Sequence, residues 1–546
     1  MPTRCRERVL LAAITRLRAT LRIVLPLFGV AVLLPAVVAQ GSGQSYRQTV
    51  LSIQEHIKEN DLDGARELIA NATRQFPADG GIENLLGVVE IQQGHADRAK
   101  KAFSVAIRHS PKLVSAYLNL GRVMMQDVAG DSKAQEEALR VYEKALQMEP
   151  ANAEANYNAA VLLMWAKSYQ RSLDRVMKMS AEDRRQAGEE ALVCADEAGL
   201  GDKEAADRAA AALVSNPGLT EQTALEIAPT LLTAQRGDLV ESTLAAVAGV
   251  RPLSAEGLRA KGLAQEMDGK SKLARTTLEL AYDKDPSSEG LLVDLASLAQ
   301  GEKDYQGALG YLAHARDLRP QDASLAYQFG AICLKLNLLG EARKVLGEAV
   351  KLAPENPQYN FAMGTVSSYA QDPTEALPYL EKYHALRPAD TAGILELGTT
   401  YFRAREFENA SSWLKQAAND DGTAATAHYY LGRIARQEGN LEEAAAELSR
   451  SLALKADQPE VLAELGQVYV SKKKYAEAES ELSRAIELDP DSYAANFGLL
   501  QLYARTSDPR KDEQSKRFDA IKDKNDEKYR EMMRVIEIVP QGEARK

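Results

Sequence analysis

With 546 residues the chain is longer than one compact core usually serves, and only 6% of its residues are aromatic while 27% are charged. That balance, with Ala and Leu dominant, suits long amphipathic helices better than sheets, and no segment reads as a strong strand. A formal net charge of -11 sets the chain against nonspecific attraction to nucleic-acid phosphates.

In chain order, Arg4, Arg6, Arg8, Arg16, Arg18 and Arg22 precede an uncharged apolar run from Ile23 to Val38. Val37 and Ala39 supply the small residues that signal peptidase prefers, so 1–39 is expected to be a secretory signal cleaved after Ala39. The alternative is an uncleaved membrane anchor. Against it, the run is shorter than the roughly 20 residues of a membrane span and holds Pro26 and Pro35. Cys5 lies upstream of the cleavage point, so lipidation is not expected. The destination read from this segment is periplasmic or secreted.

From residue 40 onward the chain is periodic. The columns are clearest in 289–492, where Gly330, Gly364, Gly398, Gly432 and Gly466 are each 34 residues apart. Ala308, Ala342, Ala376, Ala410, Ala444 and Ala478 keep the same spacing, as do Leu312, Leu346, Leu380, Leu414, Leu448 and Leu482. Pro320, Pro354, Pro388 and Pro490 close their repeats. Small residues at helix crossings predict close approach of paired backbones, and the Leu column is expected to pack into the following repeat.

Thirteen repeats follow from this register. Repeats 1 to 3 (46–79, 80–113, 114–152) form an N-terminal block at 40–152. The third carries a five-residue insertion around Gly130, because Gly121 and Pro150 are 29 apart where the period gives 24. Repeats 4 to 6 (153–185, 186–219, 221–254) are degenerate: Ala160 stands in the Gly column, and Pro229 falls within a first helix. A proline there costs ~3 kcal/mol and bends the axis, so 153–254 is expected to hold a hinge or altered curvature. Repeats 7 to 13 fill 255–492 regularly. At 493–546, Tyr493 to Thr506 begins an incomplete repeat and Asp508 to Glu531 is dominated by charge, which predicts a solvating capping helix and tail.

These spacings resemble the tetratricopeptide repeat, whose pattern runs Trp, Leu-Gly, Tyr, Ala, Phe and Pro along two antiparallel helices. In 80–113 the family positions hold Leu86, Gly87, Ala99, Phe103, Ala106 and Pro111, and in 459–492 they hold Leu465, Gly466, Tyr469, Ala478, Leu482, Ala485 and Pro490. The resemblance implies an all-α fold, an α-solenoid superhelix of about 13 units.

It also implies that the second, fifth, ninth and twelfth positions of first helices line a concave groove. Those positions hold Tyr327, Phe361, Phe402, Tyr429, Arg433 and Arg436 in repeats 9 to 12. Aromatic and Arg side chains are enriched at binding hot spots, so this stretch is the candidate site for a peptide segment, with Arg433 and Arg436 pairing to its carboxylates. The alternative is that these side chains pack on one another or pair with acidic neighbours. The carboxylate clamp of chaperone-binding members is not matched: Asn119 sits at a sixth position, but Val88 stands where the clamp needs Asn.

Signals of chemistry are few. Ala264 to Ser271 reads A-Q-E-M-D-G-K-S and satisfies a permissive phosphate-loop pattern, yet a first helix precedes it where that loop needs a strand. Gly269 shares a turn column with Gly94, Gly439 and Asn337, and a positive φ explains it. His56, His95, His109, His314, His384 and His428 are scattered without metal spacing, and no G-x-S-x-G elbow occurs. Cys194 and Cys333 lie too many repeats apart to pair. Asn71-Ala-Thr73 and Asn409-Ala-Ser411 fit the glycosylation acceptor pattern, which has meaning in a eukaryotic host.

The sequence therefore reads as a non-catalytic scaffold of the cell envelope or secreted space, with a protein or peptide partner. Neither metal nor cofactor is expected, nor nucleic acid, nor any membrane contact except through an uncleaved signal. The alternatives are an accessory subunit of an envelope enzyme or of a polysaccharide or outer-membrane assembly machine, or a self-associating structural protein.

Overall fold

The computed structural model describes residues 43–126, 128, 131–369 and 372–537, with side chains as far as Lys524. The signal segment, its cleavage point and Gly130 lie outside the described residues. Among those described, 28 α-helices and no strand occur. None of these helices is long and apolar enough to cross a membrane. The helices gather into two bodies, one ending at Leu318 and the other beginning at Arg319.

Within each repeat the small column decides how closely the two helices cross. A Cβ added at Gly330 would stand 2.7 Å from Leu346 Cγ, at Gly364 2.6 Å from Leu380 Cγ, and at Gly466 2.5 Å from Leu482 Cγ. Each Leu thus fills the space its own glycine leaves, and it reaches the next repeat as well. Leu380 shares a buried cluster with Leu397, and Leu448 with Leu465. Ala342, Ala376, Ala410, Ala444 and Ala478 are fully buried. Amphipathic second helices with one Ala-Leu-Ala stripe need no more than this to pack.

The turn between the two helices is marked by one left-handed residue. Lys167, Gly201, Gln235, Gly269, Lys303 and Asn337 all have positive φ at successive steps of 34, and Arg405, Gly439, Lys473 and Ser507 continue the series. Asn60 and Gly94 begin it. The turn explanation of Gly269 therefore holds, along with those of Gly94, Gly439 and Asn337. The same series corrects one boundary: the step from Lys167 to Gly201 leaves no gap at 220. Helix Ala187–Leu200 opens the fifth repeat at 187, one residue later than the sequence register placed it. Cys194 then occupies the small-residue column.

The two irregular regions adapt locally. In the third repeat the second helix, Ser132–Met148, has 17 residues where Ala96–His109 in the second has 14, so three of the five extra residues extend a helix. In the sixth, helix Glu221–Thr233 continues through Pro229. The larger departure is in the fourth repeat, whose second helix, Tyr169–Val176, has only 8 residues and is followed by a 3-10 turn at Asp183–Arg185. At the C-terminus, helix Lys511–Glu537 buries Phe518 and Ile521, and Gln514 Nε2 donates to Asn496 O at 3.0 Å, as a cap on helix Tyr493–Thr506 should.

Candidate functional site

The first helices of repeats 11, 12 and 13 are Thr391–Arg403, Ala424–Gln437 and Pro459–Ser471. In the middle one, Ala427, Leu431, Gly432, Ile434 and Ala435 are buried among neighbouring helices. The remaining side of the helix carries Tyr429, Tyr430, Arg433 and Arg436, which helical periodicity keeps together.

The Arg433 guanidinium carbon lies 4.7 Å from the centre of the Phe402 ring, 5.4 Å from that of Tyr429 and 5.7 Å from that of Tyr430. Three ring faces around one guanidinium favour a fixed, partly desolvated cation. Arg433 Nε stands 3.4 Å from Glu464 Oε1, and Arg436 Nε stands 2.9 Å from Glu464 Oε2. The latter approach is close but not aligned as a hydrogen bond; Arg436 Nη2 instead donates to Oε1 at 3.4 Å. Two guanidinium groups therefore share one carboxylate, whose side chain is only 12% exposed. Burial pushes the Tyr429 hydroxyl up to about 12, so it stays a neutral donor near neutral pH.

One repeat earlier, Arg403 Nη1 donates to Ser368 Oγ at 2.6 Å and to Glu396 Oε1 at 3.3 Å. Its guanidinium also lies 5.0 Å from the centre of the Tyr369 ring, a residue 61% exposed. Burial raises the Glu396 carboxyl above its ordinary range, opposed by Arg403.

Of the residues expected from sequence, the structure brings Phe402, Tyr429, Arg433 and Arg436 together. Tyr327 and Phe361 stand apart: Tyr327 packs on Tyr359 with ring centres 5.0 Å apart, and Phe361 on Tyr383 at 4.9 Å. Both arginines have an internal acidic neighbour. The sequence reading missed Tyr430, Glu464, Arg403, Glu396 and Tyr369. A usable signal was the 35-residue spacing between contact partners on successive first helices. It links Ser368 with Arg403, Asn84 with Asn119, and Arg259 with Asp294.

Polar groups of the N-terminal body are placed differently. Arg259 Nε donates to Asp294 Oδ2 at 2.7 Å, with side chains 3% and 0% exposed. Tyr157 donates to Glu226 at 3.0 Å, and burial lifts that carboxyl to about 7. Asp196 is fully buried with neither carboxyl oxygen hydrogen-bonded, while nearby Ser172 Oγ donates to Ala160 O at 2.9 Å. Burial raises the Asp196 carboxyl to about 8.

The remaining chemical signals resolve into local contacts. Helix Ala255–Met267 precedes Gly269, and Lys270 Nζ is held 2.5 Å from Glu241 and 3.1 Å from Asp268. His95 faces Glu90 at 2.9 Å, His314 faces Tyr282 at 3.0 Å, and His428 faces Glu447 at 2.6 Å. Among the described residues, no three His, Cys, Asp or Glu side chains gather as metal ligands. Cys194 and Cys333 are buried free thiols, and burial pushes Cys194 up to about 12. Asn119 donates to Asn84 inside the core at 3.0 Å, which removes it from any carboxylate clamp.

Residues 299–363 and 435–508 match one tetratricopeptide-repeat family model, and residues 52–113 and 395–459 match another. Over 182 residues the chain is 25% identical to the Caenorhabditis elegans RNA polymerase-associated protein CTR9, covering 32% of this chain and 16% of that protein. Over 235 residues it is 24% identical to the Drosophila melanogaster BBSome complex member BBS4 homolog, covering 43% and 41%. The match thus spans less than half the length of either relative. Among solved structures, the APC/C hetero-tetramer Cut9-Hcn1 is 14% identical, covering 84% of this chain and 96% of that one with a TM-score of 0.37. Pseudomonas aeruginosa pilF is 22% identical, covering 40% and 97%, with a TM-score of 0.33. YrrB, described as a TPR protein with an unusual peptide-binding site, is 21% identical, covering 40% and 95%, with a TM-score of 0.25. The tetratricopeptide-repeat models thus match residues 52–113, 299–363 and 395–508, and the described residues form an all-helical array of helix pairs.

Proposed function

We propose that the chain is a non-catalytic interaction scaffold, exported to the cell envelope or beyond, which holds a carboxylate-bearing protein segment in the groove of repeats 11 to 13. Repeats of this kind commonly mediate protein–protein interaction. The observation that carries the reading is Arg433 lying against Phe402, Tyr429 and Tyr430 while sharing a single carboxylate with Arg436. Rings that immobilise the guanidinium reduce the side-chain entropy lost on binding, and one positive charge of the Arg433, Arg436 and Glu464 group is uncompensated. A partner carboxylate supplies that missing charge through charge-assisted hydrogen bonds.

Crosslinking and mass spectrometry on intact cells would identify the partner, and a pull-down with Tyr429, Arg433 and Arg436 all replaced by Ala tests the groove. Partner recovery should fall at least tenfold; unchanged recovery would sink the proposal. Export rests on the arginine-led apolar segment before Gln40. It is tested by mass spectrometry of the N-terminus of the protein recovered from the envelope fraction, where a first residue of Gln40 is expected.

A further inference from the structure

Each unit of a repeat array touches its immediate neighbours, and the hydrogen bonds that join Asn84 with Asn119, Arg259 with Asp294 and Ser368 with Arg403 accordingly span 35 residues. The bond from Tyr157 to Glu226 spans 69. It leaves helix Ala153–Trp165 of the fourth repeat, passes the fifth, and ends on helix Glu221–Thr233 of the sixth. Gly188, near the start of helix Ala187–Leu200 between them, makes that passage possible: a Cβ there would stand 2.9 Å from Tyr157 Cε2 and 3.1 Å from its hydroxyl oxygen. Helix Ala187–Leu200 packs on both of the helices that Tyr157 joins. The phenol is thus a strap across the fifth repeat, in the stretch 153–254 where the sequence placed a hinge.

We propose that this strap is a proton-operated latch: with Glu226 protonated it holds repeats 4 to 6 as one block, and ionisation of Glu226 lets the sixth repeat move away from the fourth. The groups acting on Glu226 are Tyr157 from the fourth repeat and Glu189 from the fifth, with no cation among them. Burial raises the Glu189 carboxyl as well. The helices that follow turn their charges elsewhere: Asp238 faces Arg236, Glu241 faces Lys270, and Arg259 lies between Asp294 and Glu256. Lys261 forms no ion pair with Glu226. Burial, opposed by the Tyr157 hydrogen bond and reinforced by Glu189, lifts Glu226 from an ordinary 4.5 to about 7. Tyr157 stays a neutral donor, because burial holds its hydroxyl well above its ordinary value. A carboxyl that keeps its proton in the closed block and loses it in water favours closure fully below about pH 4.5, and that preference is lost as pH rises through about 7. Between pH 5 and pH 8 the opening equilibrium should shift by up to about 70-fold if the open form hydrates the carboxylate.

The test uses the full mature chain with spin labels at Gln170→Cys and Ser242→Cys, exposed positions on the second helices of repeats 4 and 6. Cys194 and Cys333 are buried and stay unlabelled. Pulsed EPR should give one narrow distance distribution at pH 5 and a second, longer component at pH 8, at least tenfold more populated than at pH 5. Glu226→Gln, which fixes the neutral form, should keep the narrow distribution at both pH values, and Tyr157→Phe should show the longer component already at pH 5. Asp196→Leu separates the latch from the other buried carboxyl of this region and should leave the response intact. Circular dichroism checks the fold of each variant. A distribution that does not change between pH 5 and pH 8, a response that persists in Glu226→Gln or disappears in Asp196→Leu, or a Tyr157→Phe chain as closed as its parent at pH 5 would each overturn the latch.

Discussion

The two bodies differ in where they put charge: among the described residues, the buried charged side chains lie in the N-terminal one. In the C-terminal body, charged and aromatic departures from the repeat pattern stand between successive first helices, where Arg403, Arg433, Arg436 and Glu464 are partly exposed. The N-terminal body has such a pair in Arg122 and Glu154, but it also buries charge: Arg259 with Asp294, and Asp196 with neither oxygen hydrogen-bonded. Asp196 occupies the tenth position of its repeat, a buried column that holds apolar residues such as Val89, Leu162, Ile332, Val366, Ile434 and Val468, and the uncharged Thr230 and Thr400. A repeat array can vary its groove at little cost in stability, because groove side chains are not part of the helix-crossing core. A carboxyl in the core has to be paired or protonated.

The contrast is broken most severely at the buried ion pair. Asp294→Ala leaves the Arg259 guanidinium buried without its carboxylate and should cost about 3 to 5 kcal/mol, read as a lower urea midpoint. A loss under about 1 kcal/mol would show that water reaches Arg259 and that this pair is no more a core element than the groove arginines are.

Asp196 gives the next effect, and it depends on pH. Its folded carboxyl titrates at about 8 against an ordinary 3.8, so between those values the folded chain keeps a proton that the unfolded chain has lost. Stability is therefore highest below about pH 4 as far as this group is concerned, and it falls as pH rises, by up to about 1.4 kcal/mol per unit, until about pH 8. Urea midpoints measured at pH 5 and pH 8 should differ accordingly, and Asp196→Leu should flatten the difference while raising the midpoint at pH 8. An equal slope in the variant would assign the pH dependence to other groups.

Arg433→Ala is expected to change stability by less than about 1 kcal/mol, because its side chain is 30% exposed and its ion pair is shared. The same substitution should weaken partner recovery several-fold, so stability and binding separate here as they do not at Asp294. A large drop in thermal midpoint would move Arg433 from the groove into the structural class of Arg259.

Most of the fold was legible because the period is a packing requirement. Gly330 and Leu346 recur because helices at that crossing leave no room for a Cβ, and Gly269 recurs because its turn needs positive φ. Arg433 and Arg436 were legible by position as neighbours on one side of a first helix. Glu464 was not, since a Glu on the surface of a helical repeat is common, and only the neighbouring repeat's geometry turns it into the partner of both arginines. The fifth repeat was misplaced by one residue because Ala205 and Ala206 both suit the small column, and composition cannot choose between adjacent alanines. The turn can: it is Gly201 that carries φ +83.

The smallest effect sharpens the comparison at those turns, which both bodies share. The left-handed position is glycine at Gly94, Gly201, Gly269 and Gly439, but Lys473 adopts φ +59 and Arg405 φ +64. A side chain there strains the backbone by roughly 1 to 2 kcal/mol, and glycine returns part of that gain through the greater freedom of the unfolded chain. Lys473→Gly should therefore stabilise the chain by about 0.5 to 1 kcal/mol, and the reverse change Gly439→Lys should destabilise it by a similar amount. Lys473 is exposed, so the comparison reads the turn itself. If Lys473→Gly instead lowers the urea midpoint, contacts of the lysine stem outweigh the backbone, and the regularity of the 34-residue turn series would owe more to side chains than to φ.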